Sequence, residues 1–287
     1  MVNIIQKSVN KLDNFQQKTP PLAFIYAVIK KYSEEETGYR AALLTYYSFL
    51  ALFPLLMVLT TLSSVILKNE PELQKTVIDG ATSYFPMLGS QLADHINKLN
   101  KTGLPLIAGI LFTLYGTRGV AVIFQRGMRA IWGFDEDPKL AFPKNLLHSL
   151  AIIIIGGFGL IIAAILTGAA AAAGSGWNFR ILSLLINLAL LSCVFLFLIK
   201  YVLPKKVSYK EIRPAAFCIA FGLVFLQFIG GFIIARELKN LDALYSYFAL
   251  ALGLLFWVYL QAQVVYYSAQ LATVKAKDLW PRKIVDN

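Results

Sequence analysis

A chain of 287 residues in which 57% are hydrophobic and only 15% charged departs from the soluble norm of about 25% charged residues. Its apolar positions gather into blocks longer than the roughly 20 residues that cross a bilayer as a helix, which excludes an ordinary globular fold and points to a polytopic membrane protein. The net charge of +11 does not argue for nucleic acid, because Lys and Arg fall in alternating segments instead of on one surface.

Residues 1–19 are polar and lack an apolar signal core, so the first span is expected to direct insertion itself. The segment before the first span, PPLAFIYAVIKKYSEEE, opens on two prolines and sets Leu22, Ile25, Tyr26 and Ile29 on one helical face. The pattern predicts a short helix lying on the membrane interface; a plain linker is the alternative. Six apolar blocks follow at about 40–67, 103–124, 146–173, 179–203, 214–235 and 243–274. Residues 69–101 repeat Leu88, Leu92, Ile96 and Leu99 at helical spacing and are expected to form short amphipathic helices outside the membrane. The sequence therefore predicts an all-α fold, a single integral membrane domain: a segment over 1–37, a six-helix bundle over 38–274 and a tail over 275–287.

Charge sets the orientation. The N-terminal 40 residues hold six Lys/Arg, and the 125–145 loop, the 204–213 loop and the tail hold four each. The opposite segments hold four over the longer 68–102, none over 174–178 and two over 236–242. Both termini are thus predicted on the cytoplasmic side of an inner membrane. Cys193 and Cys218 lie inside apolar blocks and read as small core residues.

Polar residues inside the blocks carry the functional argument. The first span, YRAALLTYYSFLALFPLLM, places Tyr46 and Tyr47 beside Thr and Ser and has Pro54 mid-span. Proline removes the N–H that the Leu50 carbonyl would accept, so Phe53-Pro54 is a candidate hinge. Span two, LYGTRGVAVIFQRGMRAIWG, buries Arg118 within its apolar block. A charge at that depth costs several kcal/mol unless paired or hydrated, about 3 in insertion experiments. Arg129 falls about 20° from it on the helical wheel and Arg126 about 80°, making a basic strip that leads to the cytoplasmic end. Guanidinium suits phosphate or carboxylate through paired N–H donors, and an anionic lipid headgroup fits; ordinary positive-inside anchoring is the alternative for Arg126 and Arg129. In span six, Tyr259, Gln263, Tyr266 and Gln270 form one row at i, i+4, i+7 and i+11. Such a row faces other helices or an aqueous cleft, and the cleft is the expectation carried forward.

LLTYYSFLALFPLLM, YGTRGV followed by RAIWGFDEDP, YVLP at 201–204 and WVYLQAQVVYYSAQL, in this order and spacing, resemble the YihY/BrkB family of inner-membrane proteins over residues 38–273. The resemblance implies six spans with both termini cytoplasmic. Tyr46, Tyr47, Pro54, Arg118, Gly119, Trp132, Gly133, Tyr201, Pro204, Tyr245 and Trp257 fall on positions the family tends to keep. The chain departs where relatives have Gly-Ala-Glu near the end of the last span and it has Ser268-Ala269-Gln270. An amide cannot carry a proton as a glutamate does. An older ribonuclease label attached to the family finds no support in the residues. His95 and His148 belong to segments on opposite sides, and no ligand-spaced cluster, nucleophile triad or phosphate loop accompanies them. No enzyme activity, metal or cofactor is expected. Membrane lipids with anionic headgroups are the expected partners. The function expected is a transporter or flippase-like carrier of an anionic amphiphile through a polar cleft lined by Arg118, Tyr46, Tyr47, Tyr259, Gln263, Tyr266 and Gln270. An envelope assembly partner or a small-solute channel is the alternative.

Overall fold

A computed structural model describes residues 13, 15–66, 104–134, 144–172, 176–237 and 243–283. Side chains are described mainly in the half of each long helix nearer the termini; the 69–101 segment and the side chain of Pro54 lie outside the described residues. Helix α1 spans Pro20–Glu34, with its prolines in the first turn, where a missing N–H leaves no bond unmade. Six longer helices follow: α2 (Thr37–Ile66), α3 (Leu104–Ile131), α4 (Lys144–Ala172), α5 (Trp177–Val202), α6 (Tyr209–Glu237) and α7 (Ala243–Ala276). At 26 to 34 residues each, all exceed the roughly 20 needed for a span. Among the described residues two stretches, Trp177–Val202 and Tyr209–Gly230, are by themselves long and apolar enough to cross a membrane.

The long helices form a ring. Each packs on the next, and α7 closes against α2. The ring is filled at the end carrying the termini by Met128 and Ile131 of α3 and the Trp132 that follows it, Leu191 and Ile199 of α5, Ile212 and Ile219 of α6 and Tyr266 of α7, all but excluded from solvent. Its outer wall is apolar: Ile154, Phe158 and Ile162 of α4, and Phe217, Phe221, Phe225 and Phe228 of α6, stand exposed. Apolar outside and in, these helices suit lipid as their solvent.

Small residues set how closely the helices approach. A Cβ built on Gly116 would lie 3.4 Å from the Ala51 Cβ, and one on Gly119 would enter the Tyr47 ring. Helices α2 and α3 therefore touch almost backbone to backbone.

Helix α1 lies across the terminal end of the ring. It buries Ala23, Ala27, Val28 and Lys31 and leaves Leu22, Ile25 and Ile29 exposed. The apolar stripe anticipated for the interface is thus turned away from the bundle, and a second, smaller-residue stripe docks. The first and last described segments meet there: Gln16 Nε2 donates to the Arg282 carbonyl (2.6 Å), Lys30 Nζ to the Lys283 carbonyl (2.7 Å), and Arg282 pairs with Glu34 (2.5 Å). Phe24 meets Trp280 edge-on at 5.9 Å.

Candidate functional site

The α2–α3 face keeps three of the residues anticipated from sequence in one neighbourhood. Tyr47 lays its ring on Gly119 and meets Tyr46 edge to face, with ring centres 5.4 Å apart. Tyr46 is 55% exposed, continuing an outward stripe of Tyr39, Leu43 and Leu50. Arg118, next to Gly119, is exposed, and among the described residues no hydrogen bond or ion pair holds it. Its position is central: α3 runs fourteen residues before it and thirteen after, about 20 Å either way. Arg126 is exposed two turns further on.

The polar row of α7 is disposed differently from the cleft expected of it. Tyr266 and Gln270 are fully buried. The Tyr266 hydroxyl donates to the Ile123 carbonyl at 3.1 Å, and its ring lies where a methyl group on Gly127 would be. Gln263 accepts a hydrogen bond from Tyr32 of α1, and Tyr259 packs half-buried against the core. Polar tips inside the bundle needed partners, as expected; protein supplies them instead of water. Tyr266 and Gln270 belong to the packing between α7, α3 and the N-terminal segment.

Sequence reasoning missed the group that meets Gln270. Lys31 of α1, 5% exposed, donates to Glu35 Oε1 (2.6 Å), Gln270 Oε1 (2.7 Å) and the Ile131 carbonyl (2.9 Å). An ammonium has three N–H donors, and here each finds an acceptor. Gln270 Nε2 in turn donates to Glu35 Oε2 (2.7 Å) and Thr37 Oγ1 (2.8 Å). Burial pulls the Lys31 pKa below the ordinary lysine value, against the opposing pull of Glu35. Next to Lys31 in the chain, Tyr32 stacks on Tyr267 with ring centres 3.9 Å apart, and burial raises its phenol pKa to about 12. The available signal was the Lys31/Glu35 spacing of four, which on a helix brings the two charges together.

The third part is the terminal end of α3. Gly133, at φ +73, bonds to the Ala130 carbonyl and Phe134 N–H to the Arg129 carbonyl, each at 2.8 Å. This left-handed turn is what Gly after Ile-Trp encodes. Lys31 and Lys277 donate to the last carbonyls, of Ile131 and Trp132 (2.6 Å for the latter). Arg129, in the last turn of α3, is half-buried, and His148 of α4 is likewise only part-exposed. His148 stacks on Tyr201 of α5, ring centres 4.6 Å apart.

Among the described residues, an all-helical ring with apolar walls, an arginine midway along one helix and the N- and C-terminal segments clasped at one end define an integral membrane protein of the helix-bundle class. The chain belongs to the family described as virulence factor BrkB, whose model matches residues 28–283. It is similar to a UPF0761 membrane protein of Alcanivorax borkumensis, 25% identical over 270 residues, covering 87% of this chain and 59% of the relative. It is also similar to one of Psychrobacter sp. (strain PRwf-1), 22% identical over 262 residues, with 87% and 47% covered. The chain thus spans about half the length of the curated relatives it matches. No solved structure matches it.

Proposed function

We propose that this protein is a non-enzymatic membrane carrier that moves an anionic amphiphile, a lipid or lipid-linked molecule, along the outward face of α2 and α3. The observation that carries the proposal is Arg118: a guanidinium exposed near the middle of a 28-residue helix. Leaving a charge there disfavours the folded bundle by about 3 kcal/mol by insertion scales, so a compensating anion on that face gives the residue a purpose. A headgroup phosphate can take paired N–H donors from guanidinium. The Tyr46 hydroxyl, exposed on the adjoining α2, offers a donor, and the exposed Leu43 and Leu50 offer apolar contact to acyl chains. The filled ring supports a path on the face over a central pore, since Tyr266, Met128 and Trp132 occupy the axis at the terminal end.

The test is translocation of a fluorescent anionic lipid in proteoliposomes. Arg118→Ala is expected to slow it about tenfold or more, the loss of a charge-assisted hydrogen bond, and Arg118→Lys to retain part of the rate. Wild-type protein that moves no anionic lipid, or Arg118→Ala that moves it as fast, overturns the proposal.

A further inference from the structure

Away from their ends, the six apolar blocks of the sequence hold a single charged residue. No Asp, Glu, Lys, Arg or His occurs in 41–67, 102–117, 119–125, 149–179, 181–199, 214–235 or 243–274, and Arg118 stands between two of these stretches. It is exposed on α3. The nearest cations along the two helices that frame it are both remote. Arg126 is eight residues further along α3, about 12 Å of helix rise. Tyr47 of α2 lies on Gly119, and Arg40 precedes Tyr47 by seven residues, about 10 Å. A guanidinium keeps its proton at any working pH. The interior of the spans thus offers one permanent positive charge, no carboxylate to neutralise it, and no carboxylate or imidazole to relay a proton.

That charge count selects the passenger. At bilayer depth the costly species is a charge without a counter-charge. A phosphodiester bearing one negative charge forms a neutral pair with Arg118 through paired N–H donors. A phosphomonoester carries about two charges at pH 8 and leaves one over. A zwitterionic headgroup leaves its own ammonium over. The same count sets the driving force. Arg118 is fixed in α3, so passage of the headgroup carries one net negative charge across the membrane, and the membrane potential acts on it directly.

We propose that the headgroup passing Arg118 is a singly charged phosphodiester and that the membrane potential, without proton exchange, drives it. This rests on the carrier reading and names its substrate class and its energy source.

The full chain is reconstituted at pH 8 in phosphatidylcholine vesicles with a trace of tail-labelled phosphatidylglycerol, phosphatidic acid or phosphatidylethanolamine. Potassium and valinomycin set the potential. Phosphatidylglycerol is expected to move at least tenfold faster than the other two. A potential of 100 mV should enrich it about fiftyfold in the leaflet on the positive side, and reversing the potential should reverse the enrichment. A pH gradient at zero potential should produce none. Arg118→Lys keeps the headgroup preference and Arg118→Gln abolishes it. Equal rates for the three lipids, or enrichment that follows a pH gradient and ignores the potential, overturn this inference and leave the carrier reading standing. If no lipid moves, the carrier reading falls, and melting of the protein in neutral detergent decides the charge preference. Stabilisation by phosphatidylglycerol at a tenfold lower concentration than phosphatidic acid, lost in Arg118→Gln, upholds a site for one negative charge. Equal stabilisation by both lipids, or by neither, overturns that as well.

Discussion

Replacing Gln270 with Glu changes one atom pair and inverts the electrostatics of the Lys31 node. In the wild type the amide nitrogen donates to Glu35 Oε2 at 2.7 Å and to Thr37 Oγ1 at 2.8 Å. In Gln270→Glu the N–H bond to Glu35 is lost and a carboxylate oxygen stands against the Glu35 carboxylate, while the Thr37 hydroxyl can turn to donate to it. A hydrogen bond to a charged partner contributes about 1.5–3 kcal/mol. Attraction to Lys31 offsets part of the new repulsion, because that ammonium already touches Oε1 of residue 270 at 2.7 Å. The net cost is about 3 kcal/mol at neutral pH, or roughly 5–10 °C in melting temperature. The sign of the pH dependence follows. Repulsion from Glu35 raises the pKa of the introduced carboxyl in the folded state, so the variant binds more protons folded than unfolded as pH falls. Its deficit therefore shrinks toward acid. Thermal melting of wild type, Gln270→Glu and the exchanged pair Glu35→Gln/Gln270→Glu, between pH 5 and 8, measures this. The exchanged pair restores one carboxylate and one amide and should recover most of the loss. A Gln270→Glu protein that melts with the wild type at pH 8, or an exchanged pair no better than the single variant, would refute the bonding scheme.

Tyr32 gives an alkaline counterpart. Its folded pKa of about 12 lies above the ordinary phenol value of 10.0, so its contribution is complete below pH 10 and is lost as pH rises toward 12. Tyr32→Phe should flatten the stability profile in that window, and difference absorbance should show one phenol fewer ionising late. Gly127→Ala places a methyl group inside the Tyr266 ring and should destabilise by about 1–3 kcal/mol. The control, Gly157→Ala, meets nothing within 4 Å and should be neutral or stabilise by up to about 1 kcal/mol through helix propensity; equal melting of the two variants would contradict the packing.

Helix positions were legible because apolar blocks have only one way to satisfy their backbone in lipid. The block at 179–203 became Trp177–Val202, and that at 40–67 became Thr37–Ile66. Helix α3 outran its block, ending at Ile131 instead of 124, because Gln125, Arg126 and Arg129 are good helix formers that hydropathy alone discards. The environment of Gln270 was not legible. Its partner Lys31 lies 239 positions away, and periodicity on α7 says that a polar row exists without saying what docks on it. The interfacial helix was read by its larger apolar residues, Leu22, Ile25 and Ile29, while the bundle took the stripe of Ala23, Ala27 and Val28, since small side chains allow closer helix contact. Arg118 stood out in the sequence because depth alone makes a charge conspicuous. That it points outward required the α2–α3 contact at Gly116 and Gly119.

The cross-wired terminal end constrains how a carrier of this shape works. Helices α1, α2, α3 and α7 are joined there through Lys31, Thr37, Gln270 and Ile131, and the axis is filled. Parting α2 from α3 would break the tight Gly116–Ala51 contact, yet Arg118 and Tyr46 are exposed without it. A path along the face therefore needs no opening of this seam. The Cβ atoms of residues 51 and 116 would lie 3.4 Å apart, near the roughly 3.5–4.5 Å a disulfide requires. In a background with Cys193→Ala and Cys218→Ala, the pair Ala51→Cys/Gly116→Cys should form a bond on oxidation. The locked protein should move anionic lipid at a rate within about twofold of its reduced form if no seam motion is rate-limiting. Loss of transport on oxidation, restored by dithiothreitol, would mean that the headgroup passes between α2 and α3, and that the exposed face is the entrance and not the route.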